Sequence, residues 1–331
     1  MSKRECDSFG LSDGPITSDI VTEDVGCPLN CPRGDEPILT GRDLVNHLPG
    51  TFTIVRCRTC GLVRTNPRPT RATMGFYYPD DYGPYLGTQV QAAAPRPKLF
   101  ASFRRVVRRL FEFNTMRLPK LPAGRMLEIG CASGAFLHKM AAEGWQVEGI
   151  EFSPKAAAAA RALGYPVHAG SLETAPVPSE PFDLIVGWMV LEHLHDPVLA
   201  LKKLNAWMKP GGSLVLSTPN AGALEARVFR DNWYALHLPN HLYHYTKKTI
   251  RLVLSAAGWE LDQIHFQRVL VDPIASFGYV LQKTGMSRVG NKLIKFPEQP
   301  GYWSYALYPL AVVAAAIGQT GRMTIWARKA Q

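Results

Sequence analysis

The sequence predicts an α/β protein, a Rossmann-like, doubly wound and mostly parallel seven-stranded sheet preceded by a small zinc-ribbon-like module. Three observations carry this reading. From residue 125 onward, apolar strand-like runs alternate with segments of helical period. A glycine turn, IGCASG, joins the first of these runs to its helix. Ahead of them stand two close cysteine pairs, Cys27/Cys31 and Cys57/Cys60.

The elements follow in order. RMLEIG (125–130) reads as a buried strand and AFLHKMAAEG as a helix with apolar positions three to four apart. QVEGIEF is a second strand, and SPKAAAAARALG is a helix with Ser153 as its cap and Pro154 in its first turn. PVHAG is a short third strand. FDLIVGWMV is apolar throughout, as a parallel strand covered on both faces requires. DPVLALKKLNAWMKPGG reads as a helix capped by Asp196 and ending in glycine, followed by the strand SLVLSTP. KKTIRLVLSAAGW is a helix leading into the strand ELDQIHFQRVL, and MTIWARK closes the sheet.

Composition narrows the class. The 331 residues suffice for one large or two modest domains, and 46% are hydrophobic. No apolar run reaches the ~18 residues of a membrane span. The opening residues MSKRECDSFGLSDG lack the apolar centre of a signal peptide, which predicts a cytoplasmic protein. A net charge of +10 favours acidic partners without naming one. Part of it sits in FRRVVRRLFEF, where Arg104, Arg105, Arg108 and Arg109 share one side of a helix. That side is either a solvated face or a grip on a phosphate-bearing or membrane-surface substrate. The expected organisation is a disordered tail (1–26), a zinc-binding module (27–75), a linker with the basic helix (76–122), and the α/β domain (123–331). Residues 271–322, between the last two strands, are an insertion where such folds often place ligand-covering helices. Within that insertion, the apolar Ala306 to Ile317 helix packs on the sheet, lines a hydrophobic pocket or touches a membrane surface. Oligomeric state leaves no mark in the sequence.

The chemistry concentrates at the glycine turn. Gly130 and Gly134 allow a ligand close to the backbone at a helix N-terminus, and Glu151 ends the second strand where a carboxylate can bind ribose hydroxyls. The pattern is E-x-G-x-A-x-G rather than the G-x-G-x-x-G of dinucleotide sites. A carboxylate at Glu128 would repel a pyrophosphate but attract an amino group, which selects a zwitterionic nucleoside. Two histidine clusters follow sheet strands, Glu192-His193-Leu194-His195-Asp196 and the His237, His241 and His244 group, set among Trp233, Tyr234, Tyr243 and Tyr245. A general base could come from either, although aromatic-flanked histidines are often packed and hydrogen bonded, and His195 reads as a surface residue. The cysteine pairs suit tetrahedral zinc on two short knuckles, unligated or redox thiols being the alternative.

LEIGCASG, EGIEFSP, FDLIVGWMVLEHLHDP, MKPGGSLVLSTPN and HLYHYTKKTIRLVLSAAGW together resemble the class I S-adenosylmethionine-dependent methyltransferases, especially the ubiquinone-biosynthesis O-methyltransferase subgroup. The cysteine module resembles that of methyltransferases found with polysaccharide genes. The resemblance implies that Glu128, Gly130 and Gly134 cradle the methionine part, Glu151 the ribose and Phe152 the adenine. It sets Ser171 and Leu172 at the adenine edge, and Trp188 and Met189 between cofactor and substrate. It places His193 and His241 near the acceptor, and in some relatives the Glu192–His193 region assists a divalent metal. Two departures stand out. Ala132 replaces the middle glycine of the turn, which a backbone outside the left-handed region tolerates, and Ser171 replaces an aspartate. The expected activity is O-methylation of a sugar, glycan precursor or other small-molecule hydroxyl, with Tyr77, Tyr78, Tyr82 and Tyr85 available to stack on it. The alternatives are an RNA methyltransferase and a non-catalytic cofactor-binding scaffold. The arginines are not interleaved with aromatics, which speaks against nucleic acid.

Overall fold

The computed structural model describes residues 20–79, 111–298 and 301–330. Tyr82, Tyr85, the arginine-rich segment and the first part of the expected tail lie outside these residues.

Strands β1 (Thr22–Glu23), β2 (Asp35–Gly41), β3 (Phe52–Cys57), β4 (Val63–Thr65) and β5 (Arg68–Pro69) build the cysteine-bearing part. The large sheet uses β6 (Arg125–Ile129), β7 (Gln146–Glu151), β8 (Val167–Ala169), β9 (Phe182–Trp188), β10 (Met208–Pro219), β12 (Trp259–Phe266) and β13 (Arg322–Lys329), in the order β12-β13-β10-β9-β6-β7-β8. Strands β6 to β10 pair in parallel, while β13 runs antiparallel to both β10 and β12. The order reverses beside β6, which has β7 on one side and β9 on the other, and the crevice at such a point is where ligands bind open α/β sheets. Leu184, Ile185 and Val186 of β9 are fully buried, as the apolar run required.

Helices α1 (Ala135–Ala142), α2 (Pro154–Ala162), α3 (Pro197–Trp207), α4 (Leu224–Phe229) and α5 (Lys247–Ala256) connect the strands. The expected caps are present. Ser153 Oγ accepts from Ala156 N at 3.3 Å, and Asp196 Oδ1 accepts from Leu199 N at 2.9 Å. Helix α3 stops at Trp207, short of the glycines, and β10 begins at once with an irregularity between Met208 and Ser213. Pro210 has no N–H for a helical bond and its ring would clash with the preceding turn, so the helix cannot extend through it. The insertion holds α6 (Val271–Lys283), α7 (Ser287–Ile294) and α8 (Trp303–Ala316). Helix α8 rests its Tyr305 and Tyr308 rings against Phe111 and Phe113, and leaves Leu310 and Val313 exposed. Among the described residues, no helix is long and apolar enough to cross a membrane.

The cysteine-bearing part does not stand apart from the large sheet. Its strands form the order β11-β4-β3-β2, in which β11 (Tyr243–His244) comes from beyond β10. Phe52, Ile54, Leu62 and Tyr77 share one apolar core with Leu191, Leu236, Leu242 and Tyr245. Residues 20–26, expected in the tail, instead carry β1, which pairs with β5. Strand β4 also brings in Arg64, 1% exposed, which donates to Asp35 Oδ1 at 2.9 Å and to the Val25 carbonyl at 3.0 Å.

A buried guanidinium that loses its carboxylate is left with an unsatisfied charge. Asp35→Ala is therefore expected to destabilise the protein by about 2–3 kcal/mol, the lower end of the buried-pair range because Asp35 is partly exposed. Denaturant unfolding of the purified variant measures this. An unchanged midpoint would show that the Val25 carbonyl alone satisfies Arg64.

Candidate active site

The turn after β6 is shaped by two glycines that cannot be replaced. Gly130 has φ 68° and Gly134, which precedes α1, has φ 83°. A methyl group on Gly130 would lie 2.5 Å from Val190 Cγ2, and one on Gly134 would lie 3.0 Å from Ala160 Cβ. The loop after β9 therefore presses directly on the glycine turn. Ala132 corrects the sequence expectation, because its φ of 46° is left-handed after all. The conformation costs about 1–2 kcal/mol for a residue with a Cβ. It turns the Ala132 N–H onto Glu151 Oε2 at 2.8 Å, a charge-assisted bond that offsets the strain.

Two carboxylates line this turn. Glu128 is 3% exposed and its Oε2 has no partner among the described residues. Burial, with the nearby charge of Glu151, pushes its pKa well above the usual carboxylate range. Glu151, also raised by burial, accepts from Ser153 N and Ala132 N, both at 2.8 Å, and each oxygen keeps a further lone pair. Phe152 beside it is 55% exposed. Leu172 is buried, while Ser171 caps its own turn by accepting from Thr174 N at 3.4 Å. Trp188 ends β9 with a buried Nε1 that has no partner among the described residues and with its ring edge-on to Phe136. Met189, at φ 55°, donates its N–H to the Ser217 carbonyl at 3.0 Å. A buried acceptor unpartnered among the described residues at a glycine turn, with a carboxylate able to accept hydroxyls at the next strand end, fits the amino-acid and ribose parts of S-adenosylmethionine.

The single helical turn Leu191–His193 follows β9 and carries the second half of the site. Glu192 is fully buried with neither oxygen partnered among the described residues, and burial raises its pKa to about 8. The structure brings His193 and His241 together, with ring centroids 4.7 Å apart, and adds His237 at 4.9 Å from His241. Nδ1 of His241 lies 2.8 Å from the Ala235 carbonyl, and Nδ1 of His193 lies 2.9 Å from the Asn240 carbonyl and 2.8 Å from Tyr78 Oη. Burial lowers all three histidines, His193 to about 4, His237 to about 3 and His241 well below its ordinary value. They are neutral imidazoles at neutral pH. Nδ1 facing a carbonyl carries the hydrogen, which leaves Nε2 as the basic atom. Glu192, His193 and His241 can also each bring one donor atom to within 4.8 Å of the others, a set able to hold a cation.

The backbone of His241 and Leu242 is gripped from two sides. Thr65 of β4 donates through N to the Leu242 carbonyl (2.9 Å) and through Oγ1 to the His241 carbonyl (2.8 Å), while Leu242 N donates to the Glu192 carbonyl (2.8 Å). His244 lies apart from the trio, its Nε2 3.5 Å from Thr65 Oγ1. His195 is not a plain surface residue. Its Nε2 faces the Pro69 carbonyl at 3.1 Å, and its own carbonyl accepts from Arg68 at 2.8 Å. The contact of Tyr78 with His193 was absent from the sequence reading, because a separation of 115 positions leaves no periodic signal.

In the other half, one Sγ from each of Cys27, Cys31, Cys57 and Cys60 lies within 4.8 Å of the rest, with Cys27 and Cys60 3.5 Å apart. Burial pushes the Cys27 thiol up and holds Cys31 at about 11. At Cys57 burial is outweighed by the N–H groups of Cys60 and Thr59, which bring it down to about 7.

A family model described as "Methyltransferase domain" matches residues 98–264, half of the chain. A ubiquinone biosynthesis O-methyltransferase of Xanthomonas campestris pv. campestris (strain B100) is 32% identical over 38% of this chain and 56% of its own length. A protein of the same description from Xanthomonas axonopodis pv. citri (strain 306) is 32% identical over 46% of this chain and 69% of its own. The chain thus spans little more than half the length of the first of these relatives. A solved S-adenosylmethionine dependent methyltransferase from Mesorhizobium loti is 18% identical, with a TM-score of 0.43 over 66% of this chain and 96% of that one. With the glycine turn, its two carboxylates and a family match across half its length, the chain belongs to the class I S-adenosylmethionine-dependent methyltransferases.

Proposed function

We propose that this protein transfers a methyl group from S-adenosylmethionine to a hydroxyl of a sugar, glycan precursor or other small molecule. The observation that carries the acceptor chemistry is the pair of neutral imidazoles, His193 on the loop that touches the glycine turn and His241 packed against it. Glu128 holds the amino group of the cofactor, Glu151 the ribose, and Trp188 and Met189 separate cofactor from acceptor. Bound there, the cofactor supplies an electrophilic methyl carbon with a neutral leaving group, so orientation provides much of the acceleration. The acceptor hydroxyl loses its proton to Nε2 of His241 or His193 as its oxygen attacks in line. A second reading adds a divalent cation on Glu192, His193 and His241, and the unpartnered Glu192 carboxylate favours it. The four cysteines hold a structural zinc ion in tetrahedral thiolate coordination, which the spacing of the sulfurs supports.

The cofactor reading is tested by calorimetric titration with S-adenosylhomocysteine, with NAD as control. Glu128 is raised in the free protein, and an ammonium beside it lowers its pKa again, so binding releases a proton. Affinity is expected to rise with pH up to the free-state value of Glu128, and the measured heat to depend on the buffer's ionisation enthalpy at pH values between its bound-state and free-state values. No binding, or heats independent of buffer, would contradict the role of Glu128.

The acceptor reading is tested by transfer of labelled methyl from S-adenosylmethionine to nucleotide sugars and phenols, with and without added magnesium. His241→Asn or His193→Asn is expected to lower the rate roughly a hundredfold or more while leaving S-adenosylhomocysteine affinity nearly unchanged. Equal rates in both variants would remove the base assignment, and a strict magnesium requirement would favour the cation reading. Transfer to RNA and to none of the small molecules would overturn the substrate class.

The metal reading predicts about one zinc per purified chain. Cys57→Ser is expected to lower that content and the melting temperature together. Full-length protein folded normally without zinc would refute it.

A further inference from the structure

The geometry points to a cofactor contact outside the matched methyltransferase region. We propose that Tyr78 forms one wall of the nucleoside site, so that the cysteine-bearing part completes the cofactor pocket. This rests on the reading above that the crevice at Glu128 and Glu151 binds S-adenosylmethionine.

The backbone leading to Tyr78 is fixed. Tyr77 is fully buried, its Oη donates to the Pro49 carbonyl at 2.8 Å, and its carbonyl accepts from Asn240 Nδ2 at 2.8 Å. From this anchor the Tyr78 ring reaches both ends of the crevice. Its centroid lies 6.4 Å from the Phe152 ring, tilted by 55°, and 6.0 Å from the His193 ring. Its hydroxyl lies 2.8 Å from His193 Nδ1. Phe152 follows the ribose-binding Glu151, and His193 ends the loop that presses on Gly130. One side chain therefore spans from the adenosine end to the histidine trio. Phe152 stays 55% exposed although its neighbour Glu151 is buried, which leaves an aromatic surface open beside Tyr78. A tyrosine suits both contacts, with an apolar ring for a purine face and a polar tip for an imidazole. Residues 98–264 contain Phe152 and His193 but not Tyr78, so the matched region alone holds this pocket without that wall.

The test titrates S-adenosylhomocysteine and 5′-methylthioadenosine, which lacks the amino-acid part, into full-length zinc-replete protein. Tyr78→Ala is expected to weaken both ligands by about tenfold, and Tyr78→Phe, which keeps the ring, by less than about threefold. Phe152→Ala is expected to weaken both as well, with the double variant losing less than the product of the two single losses. Hydrogen exchange on the unaltered protein needs no variant to fold, and S-adenosylhomocysteine is expected to slow the amides of residues 74–78. If the unaltered protein binds neither nucleoside, the cofactor reading falls and this proposal falls with it. If it binds both, while Tyr78→Ala leaves both affinities unchanged and the exchange of 74–78 is unaffected, Tyr78 is no part of the site and the cofactor reading stands.

Discussion

The peptide group between His241 and Leu242 is the point on which both halves of the molecule depend. Thr65 Oγ1 donates to its carbonyl from the cysteine-bearing sheet, with Thr65 N donating to the Leu242 carbonyl one peptide further on, and the Glu192 carbonyl takes its N–H from the other side. These are short, buried, neutral bonds, and leaving any of their groups unmade would be expensive in an apolar core. Because β11 begins at the next residue and pairs with β4, the small sheet is finished by the same segment that delivers His241 to the site. The order of the cysteine knuckle thereby reaches the histidines through a few rigid steps. Cys57 ends β3, β3 pairs with β4, and Thr65 of β4 holds the backbone of His241.

Burial also sets the charge state of the whole crevice. Glu128 and Glu192 are pushed towards their protonated forms, and His193, His237 and His241 towards theirs without a proton. A site of this kind presents little fixed charge of its own, which suits a cationic sulfonium reagent. An imidazolium beside that cation would repel it, whereas a neutral imidazole both tolerates it and can take a proton. The one strongly paired carboxylate, Glu151, is held by two backbone N–H groups and lies where hydroxyls rather than charge are expected.

The large sheet was legible because its signals are local. The unbroken FDLIVGW run, Ser153 before Pro154 and the glycine turn each report on neighbours within a few positions. What stayed hidden depends on distant partners. Ala132 was expected to avoid the left-handed region on steric grounds, yet its N–H has a carboxylate to meet 19 positions away. Residues 20–26 look like part of a polar tail until Arg68 and Pro69 pair with them. The two-residue strand β11 has no periodicity at all and exists only because β4 lies beside it. His193 and His241 were identified in the sequence, but their convergence with His237, and the reach of Tyr78 to them, required the folded chain.

This division between local and distant signals bears on what the relatives can teach. The family match begins at residue 98, so it contains the glycine turn, both carboxylates and the histidines, but neither Thr65 nor Tyr78. The glycine turn and its two carboxylates thus fall within the matched length, while part of what grips and walls the histidines comes from outside it. Tyr78 and the Thr65-held loop border the crevice from outside the matched length, the first with an aromatic ring and the second by fixing a buried imidazole.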